Sequence, residues 1–270
     1  IADFIKESVA VVTNPAIDRD RETEHFSTRV VVGKRPSIVS HEEHPYTVEL
    51  LSPILIEGKL GNECAETLQQ PSYDQLVHAF EEKQLAYFIS ATFVEHETIP
   101  MALNRLGKEA CEAVANGKTL LIIDDVKAHQ SGHLWIDPLL VISAIDQALT
   151  KAGIRRHCSL LLRSGAIRSL HDLIVAYGLG ANVISPYLMF ATVADTSTRP
   201  AIHLYQALNK GLEKVISTIG IHELRGYSRL FSSIGLHDEI AAVLNIVNFF
   251  GSHTLIQNFD TLKQDAIARA

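Results

Sequence analysis

Five residues lying close together in the chain, Asp124, Asp125, His129, His133 and Asp137, are of types that bind a divalent cation or exchange protons. Two histidines four positions apart on a helix share one face and could ligate a single ion. Gln130-Ser131-Gly132 stands between them and breaks any helix there. With thirteen histidines in the chain, such a spacing also arises by chance. A metal-dependent hydrolase on Asp125, His129 and His133 stays an alternative, and the expectation is that no metal is held. A second group consists of Asp124-Asp125, Arg163-Ser164-Gly165 and Ser185-Pro186, each at the end of an apolar run. In a parallel sheet these ends gather on one rim, where the backbone N–H groups of Ser164 and Gly165 and the next helix start could cradle an anion. A self-contained flavin- or phosphate-binding barrel enzyme is therefore the other alternative. The chain has no phosphate-loop lysine, no G-x-G-x-x-G and no G-x-S-x-G elbow, and neither Cys111 nor Cys158 sits in a nucleophile signature. No catalytic residue is expected.

The elements that must position these groups alternate. Ala86 to Phe93 is β-rich, and a helix follows from about Met101 to Ala115, with Leu103, Leu106, Ala110 and Val114 on one face and Asn116-Gly117 as its stop. Thr119 to Asp125 is a strand apolar on both faces, as in a sheet covered by helices. Asp137-Pro138 opens the next helix as N-cap and first helical residue, and Gly153 closes it. His157 to Leu162 reads as strand, Ile167 to Tyr177 as a helix stopped by Gly178, and Ala181 to Ile184 as strand. Before Ala86, Lys34-Arg35-Pro36 and Ser40 to Pro45 read as loops, and Asp74 to Lys83 as a helix. After Pro200 the pattern turns helical: a long stripe from Ile202 to Ile219, a second helix on Leu224, Tyr227, Leu230 and Phe231, and a third on Ile240, Val243, Leu244 and Val247. The expected fold class is α/β, a parallel sheet with alternating helices, a partial (β/α)-barrel-like core and a helical C-terminal third. Residues 1–270 are expected to form a single domain.

A net charge of -7 and a sequence pI near 6.0 argue against a nucleic-acid or anionic-membrane partner, whose affinity rests on a basic face. No apolar run reaches the roughly 18 residues of a spanning helix. Cys64, Cys111 and Cys158 are too scattered for a disulfide framework, and they point to a reducing, cytoplasmic setting. The start at Ile1, without an initiator Met, reads as a piece of a longer protein.

Val11-Val12-Thr13-Asn14-Pro15-Ala16-Ile17-Asp18-Arg19-Asp20-Arg21-Glu22 reads as an Asn-Pro turn followed by a short helix with Asp18 as N-cap. It resembles the V-T-N-P-P-I-D-x-x-R-E segment that opens the central domain of glutamate synthase. His157 to Met189 is similar to another stretch of that family, with Gly165, Arg168, His171, Tyr177, Gly178, Gly180, Ala181, Pro186, Tyr187 and Leu188 on its pattern. Ala207 to Ile216 is similar to the family's A-L-N-K-G-L-L-K-V segment, and Leu51 to Leu55 is a weaker fourth match.

The resemblance implies a non-catalytic central domain of an oxidoreductase that makes glutamate from glutamine and 2-oxoglutarate. Its partners would be the amidotransferase and flavin-binding synthase domains of the same parent chain. The parent would carry FMN and an iron–sulfur cluster, while this chain would bind no cofactor itself. By the same resemblance Thr13, Asn14 and Pro15 would wall the ammonia tunnel between the two catalytic ends. Departures from the family pattern are Ala16 for a proline, Asp124-Asp125-Val126 for S-D-R, Ile145-Asp146-Gln147 for a His-rich patch, and Arg163 for a glutamate. A fifth is the shortening of Y-R-G-A-Q-I-F to Tyr227 to Phe231.

Overall fold

The computed structural model describes residues 1–7, 25–37, 39, 45–194, 197–251, 253–254 and 257–270. Thr13, Asn14 and Pro15, the helix expected from Asp18, and residues 40–44 of the expected loop lie outside the described residues.

Three strands, β1 (Ile5–Glu7), β2 (Val30–Gly33) and β3 (Thr47–Leu50), precede helices α1 (Gly58–Leu68) and α2 (Tyr73–Glu81). The alternating part then runs β4 (Ala86–Ser90), β5 (Thr92–Phe93), α3 (Ile99–Ala115), β6 (Leu120–Asp124), β7 (Leu134–Trp135) and α4 (Pro138–Lys151). It continues through β8 (Ser159–Arg163), α5 (Leu170–Gly178) and β9 (Val183–Ser185). The last third holds α6 (Tyr187–Ala191), α7 (Arg199–Ile219), β10 (Phe231–Ile234), α8 (Asp238–Leu244), β11 (Asn248–Phe249) and α9 (Phe259–Arg269).

Strands β4, β6, β8 and β9 form a parallel sheet in that order. Residues 53–55 extend it beyond β9, with Leu55 N–H donating to Ile184 O at 2.9 Å and Ile184 N–H to Pro53 O at 2.7 Å. At the other edge β4 has β6 as its strand neighbour among the described residues, so the sheet is not closed there. A partial barrel-like core is the outcome. Leu120 to Ile123 and Leu160 to Leu162 are all fully buried, as a sheet covered on both sides requires.

Local chemistry fixes the helices between these strands. The Thr98 hydroxyl accepts from Met101 N–H at the start of α3, with Pro100 in the first turn. Asp137 accepts from Leu139 N–H at 2.9 Å to start α4. Ser72 and Gln75 make a reciprocal capping box at α2.

The expected second C-terminal helix is absent. Leu224–Gly226 is a single 3-10 turn, Arg229 takes a left-handed φ of 48°, and Phe231 begins β10, which pairs with β1 and β11. Apolar residues at helical spacing instead serve a turn, because Tyr227 and Phe231 both pack on Gly178. The expected third helix stops at Leu244, where Asn245 is left-handed, and Val247 lies outside it. His157 belongs to a 3-10 turn rather than to the following strand.

Strand β1 is held to α5 by His171. Its Nε2 meets Ala2 O at 3.0 Å and its Nδ1 meets the Glu7 carboxylate at 3.3 Å. Two acceptors require two N–H groups, which only the imidazolium has. The hydrogen bond to Glu7 raises the His171 pKa, against the opposing effect of burial, and the Ala2 carbonyl and the Glu7 and Asp172 charges add to the rise. A raised folded pKa means that this contribution to stability is complete below the unfolded value, about 6.5, and is lost as pH rises through the folded one. The His171 ring resonances are expected to titrate above a free histidine, and Glu7→Gln should bring the midpoint down. An unchanged midpoint in that variant would show that Glu7 does not set it.

Candidate functional site

The carboxyl ends of the parallel strands converge, and the three strand-end groups read from the sequence meet there. Asp124 and Arg163 are register partners on β6 and β8, and Arg163 pairs in turn with Ser185 on β9. Glu57 joins them from the residues that follow 53–55. Arg163 binds Glu57 through Nε at 2.7 Å and Nη2 at 3.0 Å, a two-pronged contact, and donates from Nη1 to Asp124 at 2.7 Å. Ser185 Oγ donates to Glu57 at 3.3 Å. The guanidinium also lies over two rings, 5.4 Å from the centroid of Tyr73 and 5.2 Å from that of Tyr187. Two carboxylates and two aromatic faces around one cation are a strong electrostatic trap.

Asp125 sits one step deeper and is 4 % exposed. It accepts from Ser164 Oγ at 2.5 Å, from Gly165 N–H at 3.2 Å and from the Tyr187 hydroxyl at 3.0 Å. Burial pushes its carboxyl pKa up, while those three hydrogen bonds pull it back. Gly165 is closely approached: a Cβ there would lie 2.6 Å from Leu188 Cδ1 and 2.9 Å from the Tyr187 hydroxyl, so those side chains would have to move. The backbone amide expected to cradle an anion thus already serves Asp125.

Burial raises the phenol pKa of Tyr73, and burial with the Asp125 charge raises that of Tyr187. Hydrogen bonds to Glu57 hold the Arg163 guanidinium well above its ordinary pKa. These shifts move both phenols and the guanidinium further from neutrality, away from the range a general acid or base needs.

The five residues singled out for metal chemistry go to separate tasks. His129 Nε2 meets the Tyr187 hydroxyl at 3.2 Å, His133 Nδ1 meets Thr92 Oγ1 at 3.3 Å, and Asp137 caps α4. Among the described residues no group of three metal-ligating side chains is gathered. Cys64, on α1, and Cys158, before β8, are buried and free, and Cys111, on α3, is free and half-buried. The three do not fit an iron–sulfur cluster. Nor does the rim fit a flavin, because the donors and rings that would receive one are engaged with each other. Glu57 and Tyr73 were not legible from motifs. The Leu51 to Leu55 match ends just before Glu57, and the contact to Arg163 spans 106 positions.

The profile of the family described as "Glutamate synthase central domain" matches residues 1–237. The chloroplastic ferredoxin-dependent glutamate synthase of Spinacia oleracea is 31% identical over 264 residues, covering 89% of this chain and 16% of that protein. The large chain of the NADPH glutamate synthase of Bacillus subtilis (strain 168) is 29% identical over 250 residues, covering 88% of this chain and 15% of its own length. The chain therefore spans about one sixth of the curated relatives it matches. Among solved structures, a mandelate oxidase variant with benzoyl-formic acid superposes with a TM-score of 0.54 at 10% identity, covering 85% of this chain and 86% of that one. A second, with a C4a-OH-FMN adduct, has a TM-score of 0.53 at 12% identity, covering 85% and 87%. At such identities the likeness is one of fold alone.

Proposed function

The chain belongs to the glutamate synthase central domain family, and from that premise we propose that it is a non-catalytic spacer within a longer glutamate synthase chain. In this reading it links the glutamine amidotransferase domain to the flavin-binding synthase domain and walls part of the ammonia route with Thr13, Asn14 and Pro15. FMN and the iron–sulfur cluster belong to the other domains of the parent, in the cytoplasm.

The observation that carries this reading is the filled rim. Arg163, Glu57 and Asp124 saturate one another where an enzyme of this topology would offer free groups to a ligand. The cysteine placement also supports it, since no cluster ligands are gathered among the described residues. Among the described residues, no helix is long and apolar enough to cross a membrane. A conduit for ammonia must exclude water, or the molecule protonates and escapes. The sequence Thr13-Asn14-Pro15 would bring a hydroxyl and an amide side chain to such a wall.

Asn14→Leu in the intact parent is expected to uncouple glutamine hydrolysis from glutamate formation, lowering glutamate made per glutamine cleaved roughly twofold or more. An unchanged ratio removes Asn14 from the route. The fold likeness to flavin-bound mandelate oxidase favours one rival, a barrel that binds flavin by itself. Titration of the chain with FMN separates the two, because stoichiometric binding overturns the spacer reading.

A further inference from the structure

In the small sheet of β1, β10 and β11, β10 lies in the middle, antiparallel to β1 and parallel to β11, so β11 is an edge among the described residues. Ser233 N–H donates to Val247 O and Gly235 N–H to Phe249 O, both at 2.8 Å. Strand alternation then turns the Asn248 peptide groups away from β10, toward the open edge. The Asn248 side chain is held on the inner face, where Oδ1 accepts from Ser233 Oγ at 2.8 Å and Nδ2 donates to Leu236 O at 2.9 Å. The same alternation puts Val247 and Phe249 on the outer face, with Ile234, the register partner of Phe249, beside them.

Phe250 follows with a left-handed φ of 55°, which a bulky side chain rarely adopts. Its ring is 88% exposed, so packing within the chain does not offset that strain. The bend is fixed by Gly251, where a Cβ would collide with the side chains of Asn248 and Asp238. Ile234, Val247 and Phe249 are exposed as well. The four side chains together expose on the order of 400 Å², comparable with the largest apolar patch of a typical monomer, which is often functional.

A second copy of the chain and another domain of the same polypeptide are the two candidates for covering this face. Two copies would bury on the order of 800 Å² of it, below the roughly 1,200–2,000 Å² of a stable free association. A domain on the same polypeptide is held at about millimolar effective concentration and needs less contact. The curated relatives are about six times as long as this chain, and β11 and Phe250 stand just past residue 237, where the family match ends. We propose that Ile234, Val247, Phe249 and Phe250 dock a further domain of the same parent chain, one that offers an apolar pocket to the two phenyl rings and a backbone segment to the open edge of β11. This rests on the reading of the chain as part of a longer glutamate synthase.

The test is amide hydrogen exchange on the intact parent and on the 270-residue chain by itself. The Asn248 and Phe250 amides should exchange freely in the chain alone and at least tenfold slower in the parent. Phe249→Ser/Phe250→Ser in the parent should return them to within about twofold of the free chain. The same double variant should leave the thermal midpoint of the chain alone within about 2 °C, which separates lost docking from misfolding. The proposal is overturned if those amides exchange alike in parent and chain, if the double variant keeps the protection, or if the chain alone sediments as a dimer that the double variant dissociates. Exchange is read without turnover, so an unchanged ratio in Asn14→Leu removes the tunnel role and leaves the docking face standing.

Discussion

Arg163→Ala is expected to lower the stability of the chain by about 3 kcal/mol, read from the shift in urea midpoint at constant slope. The guanidinium is 22% exposed and serves Glu57 and Asp124 together. Its removal leaves two carboxylates facing each other at the rim with no cation between them. Breaking a buried pair from one side typically destabilises by 3–5 kcal/mol, and partial solvent access brings the figure to the lower end. Glu57→Gln in the Arg163→Ala background should then recover part of the loss, because the orphaned charge is gone. Additive losses in the double variant would mean that the two residues do not act as a pair.

Asp146→Ala should destabilise by about 3–4 kcal/mol. Its carboxylate receives Arg155 Nε at 2.6 Å and Arg229 Nη2 at 2.9 Å, and the side chain is 11% exposed. Arg155 reaches on to Gly180 O at 2.7 Å and Asn182 Oδ1 at 3.1 Å, while Arg229 approaches Leu244 O and Leu179 O. The single carboxylate therefore ties α4 to the turn before β9 and to the segment that enters β10. Gly180, at a φ of 131°, lets the backbone pass Asp146, where a Cβ would come within 2.6 Å. Asp146→Asn, of equal shape, should fall between the parent and Ala. If Asn and Ala are equally destabilised, shape is not what matters and the effect lies in the charge alone.

The alternating half of the fold was open to a reader of the sequence because its signals are local. Asp137-Pro138 and Asn116-Gly117 cap helices through contacts a few positions apart, and the apolar runs of β6 and β8 need no partner to be recognised. The rim groups Asp124, Asp125, Arg163, Ser164 and Ser185 were legible for the same reason, as strand ends in a parallel sheet. Their pairing was not, since Glu57 and Tyr73 come from outside the alternating part. The C-terminal strands were missed because Leu224, Tyr227, Leu230 and Phe231 carry helical spacing. What decides their conformation is a pairing of Phe231 with Glu7, at the far end of the chain.

Two of the departures from the resembled pattern meet in the fold. Where the resemblance has an arginine after the second strand and a glutamate on the third, this chain has Val126 and Arg163. Arg163 on β8 has Asp124 of β6 opposite it and donates to its carboxylate. Likewise Asp146 and Gln147, which replace a His-rich patch, serve Arg155, Arg229 and the Val243 carbonyl. In the fold Arg163, Asp146 and Gln147 each meet a partner of their own.

The seam between 53–55 and β9 joins residues about 130 positions apart in a sheet whose other neighbours follow one another in sequence. Such a seam cannot form until the intervening strand–helix units have collapsed, since loop closure over that distance must be met before the contact returns anything. It is then a late event on the route from the unfolded chain. Weakening it at Ile54 or Ile184 would mainly hasten unraveling and leave the rate of assembly little changed. The durability of the native state over time thus rests on the longest-range contact of its parallel sheet.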